Sequence, residues 1–216
     1  MAFYSDPIDS HALKNIGRWI PLRDIRHKEK ELNISWVLAD SVVLDPTQEL
    51  EPLKHIGSFW GSWRTWRAYQ TDNVICHDPV KVDELLKRAF QAACNFYIPN
   101  STYVALDRPL GVQLYEGDFV HDLDRKEEIV AMHLAASRSD IVLLVGFDFT
   151  EQPKNTDRMA EHQAQHHRGL AIQAIKDNPE IQWVLIDHPG KIHPAMADLP
   201  NLTQDTMSNV LELLSS

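Results

Sequence analysis

The sequence has few of the residues that cross-link or interrupt a small fold: its 216 residues include only two cysteines and eight glycines. Cys76 and Cys94 both lie in apolar contexts, which favours buried free thiols over a disulfide framework. No stretch approaches the roughly 18 apolar residues of a membrane span, and the first 15 residues are too polar for a signal peptide. We therefore expect a cytoplasmic protein that does not enter a membrane.

Several motifs and one kind of charge are also missing. The sequence contains no GxGxxG, no GxxxxGK[ST] and no GxSxG, which argues against NAD-type dehydrogenases, P-loop NTPases and α/β-hydrolases. The net charge is −10, and a protein surface that binds nucleic acid needs clustered Lys and Arg. The sequence therefore predicts no nucleic-acid partner, and it identifies no cofactor.

What the sequence does contain is a series of apolar runs separated by amphipathic segments. Hydrophobic residues make up 44% of the chain and charged residues 24%, as in an ordinary globular domain. Runs of consecutive apolar residues are typical of strands buried on both faces of a parallel sheet. The predicted strands are SWVLAD (35–40), NVICHD (73–78), NFYIPN (95–100), GVQLYEG (111–117), DIVLLVGFDF (140–149) and IQWVLIDHPG (181–190).

Helical patterns lie between and after these strands. They are predicted at 78–94, with Asp78 as N-cap and Pro79 first in the helix; at 124–139, with Asp124 and Glu127 as a capping box; at 157–179, with a possible bend at Gly169; and at 206–216. Strands that alternate with helices form right-handed βαβ units. We predict one three-layer, doubly wound, Rossmann-like α/β domain over 35–216, with about six mostly parallel strands. An N-terminal arm occupies 1–34.

Ligands of open α/β sheets bind beyond the carboxyl ends of the strands. Polar residues follow nearly every predicted strand, and they are the candidate ligand-binding residues of this chain: Asp40, His77, Asp78, Asn100, Asp148, Asp187 and His188. An aspartate in such a position can equally cap the next helix, as Asp78 is expected to do. The sequence therefore predicts a ligand-binding rim and leaves open which of its members bind.

A second group of candidates is EHQAQHHRG (161–169). His162 and His166 are four residues apart, so a helix presents them on one side. The spacing would suit a metal pair, but HExxH is absent because Gln163 stands in the place of the glutamate. A third metal ligand would have to come from elsewhere, such as Asp148, which is also a candidate catalytic residue. A catalytic or phosphate-contacting histidine and a plain polar surface are the other interpretations. We predict no metal site.

The segment GSFWGSWRTWRAYQ (57–70) holds three of the six tryptophans. Its place between two strands predicts a largely helical crossover capped by Ser58 or Ser62. Steps of three residues drift around a helix, which indicates a helix wedged into the core, with Trp66 and Tyr69 as packing residues. Trp60, Trp63 and Arg64 are candidates for a pocket wall, where an arginine could neutralise phosphate.

The strand VLLVGFDF, the histidine-containing helix after it and the strand IQWVLID resemble the carboxyl half of bacterial sialyltransferases. They are also similar to the related domain of archaeal hydroxymethylpterin diphosphokinase-like proteins. The family's G-x-D strand end corresponds to Gly146–Asp148, and its histidine corresponds to His166 or His167 ahead of LAIQAI (170–175). NVICHDP (73–79) resembles the second strand of those folds. The family's first strand runs into a Gly-Asn-Gly-Pro-Ser type loop, whereas ISWVLADSVVLDPT contains no glycine.

Two classes of function follow. The first is a transferase that acts on a nucleotide-linked or phosphorylated small molecule, with a glycosyltransferase as its most specific form. His166 or His162 would be its general base, because an imidazole titrates near neutrality. The second is a non-catalytic α/β accessory or interaction module. A metal-dependent phosphoesterase is less favoured, because the carboxylates do not show a known ligand spacing.

Overall fold

The computed structural model describes residues 32–40, 53–115, 127–150, 158–188 and 190–215. Almost all of the arm predicted over 1–34 lies outside these ranges. Within them, eight strands alternate with seven α-helices. The strands are β1 (Ile34–Leu38), β2 (Ser58–Ser62), β3 (Asn73–Ile75), β4 (Asn95–Pro99), β5 (Gln113–Tyr115), β6 (Ile141–Val145), β7 (Gln182–Ile186) and β8 (Leu202–Asp205). The helices are α1 (Trp63–Tyr69), α2 (Pro79–Lys87), α3 (Asn100–Ala105), α4 (Glu127–Ala136), α5 (Arg158–Asp177), α6 (Pro194–Ala197) and α7 (Met207–Ser215).

The eight strands form one sheet in the order β5-β4-β3-β2-β1-β6-β7-β8, and every pair of neighbours is parallel. Within the sheet, the strands run in sequence from β1 outward to β5 at one end. The next strand, β6, lies on the other side of β1, and the sequence then runs outward to β8 at the opposite end. The predicted α/β fold is confirmed, with eight strands in place of about six. β2 (SFWGS) and β8 (LTQD) escaped prediction because neither is a continuous apolar run.

Helices cover both faces of the sheet, as a doubly wound fold requires. Val37 and Trp60 face α4 and α5 in one core cluster. Trp36 and Leu38 face the opposite side, where they pack with α7, and α1 and α2 cover Val74 and its neighbours on that side. Because successive side chains of a strand point to opposite faces, one apolar run such as SWVLAD supplies both cores.

The tryptophan-rich segment is half strand and half helix. The prediction of a helix over its first part is wrong, because residues 58–62 form β2 and the helix begins only at Trp63. Glycine helps to place this strand beside β1: a Cβ on Gly57 would lie 2.4 Å from the carbonyl oxygen of Ile34. The predicted cap at Ser62 is confirmed, since its side chain accepts hydrogen bonds from the backbone N–H groups of Arg64 and Thr65.

The predicted helices differ from the observed ones mainly at their ends. α2 has Asp78 as N-cap and Pro79 as first residue, as predicted, but it ends at Lys87 and not near 94. Ala89 has a left-handed backbone (φ 54°), and a single 3₁₀ turn follows over Phe90–Ala92. A left-handed residue cannot continue an α-helix, so the apolar spacing beyond 87 belongs to the turn.

Gly169 lies inside α5 without breaking it, which makes it a site for a stabilising substitution. The position is exposed, and a Cβ there would meet no atom of the described residues within 4 Å. Gly169→Ala should stabilise the fold by about 0.5–1 kcal/mol, because glycine loses more backbone entropy in a helix, and thermal unfolding should show a rise of roughly 1–4 °C in Tm. Gly57→Ala is the matched control and should lower Tm. A lowered Tm for Gly169→Ala would contradict an unbroken, exposed helix.

Candidate functional site at the carboxyl edge of the sheet

Because all the strands are parallel, the residues of the predicted rim lie along one edge of the sheet. They do not lie at one point of that edge. Asn100 follows β4 and Asp187 follows β7, and five strand-to-strand steps separate these two strands. At about 4.8 Å a step, the predicted rim spans roughly 24 Å. A small-molecule site can therefore use only part of it.

The best connected part surrounds Asp40, directly after the central strand β1. Its Oδ1 accepts hydrogen bonds from the hydroxyls of Ser62 and Thr65, the latter at 3.0 Å. Its Oδ2 lies 3.4 Å from a guanidinium nitrogen of Arg64, whose side chain is 67% exposed. The backbone N–H of Asp40 donates to the Glu128 carboxylate at the start of α4. The end of β1 is thus tied to both neighbouring helices, and one carboxylate is held in a fixed position.

Glu127, at the first residue of α4, is the second carboxylate of this group. Its Oε1 accepts a hydrogen bond from the backbone N–H of His77 at 3.0 Å. Burial, and to a lesser extent the negative charge of Asp40, raise the pKa of Glu127 from 4.5 to about 7, against the lowering effect of the hydrogen bonds from His77 and Cys76. A carboxyl group with this pKa is half protonated at neutral pH, so it can both accept and release a proton.

His77, Cys76 and Tyr115 pack around Glu127. Burial lowers the pKa of His77 from 6.5 to about 4, so its imidazole is neutral at pH 7. Its Nε2 has no hydrogen-bond partner among the described residues, and its ring lies 6.1 Å from that of Tyr115. Burial and the charge of Glu127 raise the pKa values of the Cys76 thiol and the Tyr115 hydroxyl. Glu127 is therefore the group of this cluster that changes charge near pH 7.

The other members of the predicted rim make local structural contacts. Asp78 caps α2 by accepting from the N–H groups of Val80 and Lys81, and Asn100 is an exposed residue at the start of α3. Asp148 accepts from the N–H of Thr150 at 3.1 Å.

Asp187 and His188 follow β7 and hold neighbouring segments in place. Asp187 accepts from the N–H of Met207 at 3.2 Å. His188 accepts through Nε2 from the N–H of Phe149 at 3.0 Å, while its Nδ1 lies 2.9 Å from the Gly190 carbonyl oxygen. That carbonyl can only accept, which assigns the proton to Nδ1. These contacts join the segments that follow β6, β7 and β8.

His162 and His166 lie one turn apart on α5 and are both exposed. The unbroken helix confirms that they share one side. Their predicted role as general base stays a prediction. Among the described residues, no three His, Cys, Asp or Glu side chains form a group that could hold a metal ion.

Glu127 is not among the site residues that the sequence predicts, because its spacing from Asp124 is typical of a capping box. Asp124 lies outside the described residues, and the Glu127 carboxylate binds the N–H of His77, which is 50 positions earlier in the chain. One feature of the sequence does point to Glu127: two adjacent glutamates begin the helix that follows β5, at the same edge of the sheet as Asp40. The sequence could not show that both carboxylates turn toward the strands.

Comparison of the chain with protein-family models, with curated proteins and with solved structures finds no match. The resemblance to bacterial sialyltransferases and hydroxymethylpterin diphosphokinase-like proteins therefore stays a prediction. No helix in the described ranges is long and apolar enough to cross a membrane. The chemistry of the Asp40–Glu127 group is the evidence on which a function can be proposed.

Proposed function

We propose that the protein is a transferase that acts on a nucleotide-linked or phosphorylated small molecule, with glycosyl transfer as the most specific form. The ligand would bind at the carboxyl edge of the sheet, beside the end of β1, and Glu127 would be the general base. The observation that carries this proposal is the half-buried Glu127 carboxyl group with its raised pKa, which lies near the fixed carboxylate of Asp40 at the centre of the sheet.

The topology supports this location. In doubly wound sheets, ligands bind where the connections from two adjacent strands depart in opposite directions. Here those strands are β1 and β6, whose ends are joined by the hydrogen bond from the N–H of Ala39 to the carbonyl oxygen of Val145, at 2.9 Å. Gly146 follows with φ 79°, a conformation that favours glycine and leaves no side chain between a ligand and the backbone.

The chemistry supports a general base at Glu127. Transfer to an acceptor hydroxyl requires that its proton be removed as the new bond forms, and a base with a pKa near the working pH does this best. Asp40 would orient the acceptor through its carboxylate, and Arg64 would place a positive charge next to a phosphate group. Turnover should therefore rise with pH through about 7, as Glu127 loses its proton.

One observation favours the alternative, a non-catalytic accessory module. Both oxygens of Asp40 already have partners within the chain, namely Ser62, Thr65 and Arg64. A cluster that satisfies its own hydrogen bonds can be purely structural. In that case, thermal unfolding would not respond to any sugar phosphate, whereas a ligand at 100 times its Kd should add about 2.7 kcal/mol.

Glu127→Gln is the decisive substitution for the transferase. Glutamine keeps the size of the side chain and its acceptor oxygen for the N–H of His77, but it cannot take up a proton. With CMP- and UDP-sugars as donors and simple sugars as acceptors, release of the free nucleotide should fall at least about a hundredfold, within the usual range for loss of a general base. The measurement is the steady-state rate of nucleotide release across pH 5.5–8.5.

His166→Ala and His162→Ala are the matched comparisons, because the sequence favoured these histidines as bases. We expect both variants to retain turnover, and far-UV circular dichroism should show that all three variants are folded. Loss of turnover in His166→Ala, together with normal turnover in Glu127→Gln, would overturn the role of Glu127. A panel that yields neither turnover nor any thermal shift would overturn the transferase and favour the accessory module.

A further inference from the structure

A groove between α1 and α2 lies outside the Asp40–Glu127 group, on the opposite face of the sheet from α4. It encloses about 220 Å³. Its floor is apolar and includes Trp66, Leu85 and Phe90, and the Trp66 and Phe90 rings meet edge to face with centroids 4.5 Å apart. A rigid aromatic floor of this kind can accept a flat ring at little entropic cost.

Three cations border the groove: Arg67 on α1, Lys81 on α2 and Arg88 just after α2. Within the described residues, Glu84 is the carboxylate that pairs with this group, and it is shared by Lys81 at 2.6 Å and Arg88 at 2.9 Å. The border therefore carries an excess of positive charge, although the whole chain has a net charge of −10. Such a local excess favours an anionic ligand.

Two of these cations contact the ring of Trp63. The Lys81 Nζ lies 4.4 Å from the Trp63 ring centroid, and the Arg67 Cζ lies 5.5 Å from it. Cation–π contacts restrict long side chains that would otherwise be free to rotate. The ammonium and the guanidinium are thus partly positioned before any ligand arrives, which lowers the entropic cost of binding.

We propose that this groove binds a nucleoside monophosphate or the nucleoside phosphate portion of a larger ligand. The base lies on the floor formed by Trp66 and Phe90, and the phosphate contacts Arg67, Lys81 and Arg88. Charge complementarity selects the phosphate, and the aromatic floor selects the ring. The volume of about 220 Å³ is below the usual 300–1,000 Å³ of a pocket for a whole drug-sized ligand. The groove therefore holds a single base, with the phosphate outside it at the cationic border, whereas an acidic peptide would need a longer surface.

Isothermal titration with AMP and CMP tests the proposal, with adenosine, inorganic phosphate and a hexaglutamate peptide as comparison ligands. We expect each nucleotide to bind at least about tenfold more tightly than adenosine or phosphate, because only the nucleotide engages both the floor and the cations. The indole N–H resonances of Trp63 and Trp66 should shift on titration. Binding should weaken as salt is added, since the phosphate contacts are electrostatic.

The double variant Arg67→Gln/Arg88→Gln should raise the Kd for AMP at least about tenfold. Lys87→Gln is the matched control: Lys87 is adjacent to Arg88 but pairs with Asp83 and does not line the groove, so its Kd should be unchanged. Glu127→Gln should also bind AMP normally, which separates this proposal from the transferase. Equal binding of hexaglutamate, equal binding of phosphate alone, or an unchanged Kd in the double variant would each overturn it.

Discussion

Substitutions at Glu127 and His77 should change the pH dependence of stability in opposite directions. We expect Glu127→Gln to gain about 3 kcal/mol relative to the wild type as the pH rises from 4.5 to 7. His77→Phe should lose about as much between pH 4 and 6.5. Each pH interval runs between the ordinary pKa of the group and its pKa in the folded protein. For Glu127 these values are 4.5 and about 7, and for His77 they are 6.5 and about 4.

The signs follow from the protons bound in each state. Between pH 4.5 and 7, Glu127 binds a proton in the folded state but not in the unfolded state, so its contribution to stability falls as the pH rises. His77 binds a proton only in the unfolded state between pH 4 and 6.5, so its contribution rises with pH. Each bound proton changes the free energy of unfolding by about 1.4 kcal/mol per pH unit.

In the wild type these two contributions cancel between pH 4.5 and 6.5, because folding in effect moves one proton from His77 to Glu127. Each single substitution removes one of the two titrating groups and leaves the pH dependence of the other uncompensated. The double variant His77→Phe/Glu127→Gln removes both groups, and its difference from the wild type should again be almost independent of pH. That outcome distinguishes titration from loss of packing, since lost packing shifts a stability curve without tilting it.

Urea unfolding at half-unit intervals from pH 4 to 7.5 gives the required free energies. Glu180→Gln, the same substitution at an exposed glutamate, is the matched control. Parallel curves for Glu127→Gln and the wild type would show that this carboxyl titrates normally. They would also remove the main physical support for Glu127 as a general base.

The sequence predicted the architecture well because the central strands are buried on both faces. SWVLAD and DIVLLVGFDF are continuous apolar runs, and the structure places them side by side at the centre of the sheet as β1 and β6. β8 could not be found in this way, because LTQD is a strand at the end of the sheet and only Leu202 in it is buried. β2 was obscured by its glycine and serines, and Gly57 just before it, which has no Cβ, allows the close approach to Ile34.

The candidate site was predicted in part, for a similar reason. The position of a residue after a strand is visible in the sequence, and this located Asp40 and His77 at the carboxyl edge. The direction of a side chain at a helix start is not visible, so Glu127 was assigned to capping. Arg64 was predicted from its neighbours, and the structure places it against Asp40. What the sequence lacked was the long-range contact from Glu127 to His77.

Trp60 and Trp63, only three residues apart, should differ sharply in their importance for stability. Trp60 lies in β2, is 1% exposed and packs on the Tyr97 ring at 5.4 Å. Its predicted role in a pocket wall is therefore wrong. Trp60→Ala should cost about 3–5 kcal/mol, the usual range for truncation of a buried tryptophan. Trp63 is half-buried beside cations, so Trp63→Ala should cost only about 1–2 kcal/mol.

Trp60→Phe separates packing from hydrogen bonding at this position. The indole Nε1 donates to the Ser35 and Ser58 hydroxyls at 3.1 and 3.0 Å, and these hydroxyls lie 3.0 Å from each other. Because the two serines keep each other as partners, Trp60→Phe should cost about 1–2 kcal/mol and leave a measurable transition even if Trp60→Ala does not fold. Urea unfolding followed by circular dichroism avoids a tryptophan signal. Equal losses for Trp60→Ala and Trp63→Ala would contradict the placement of Trp60 in the core.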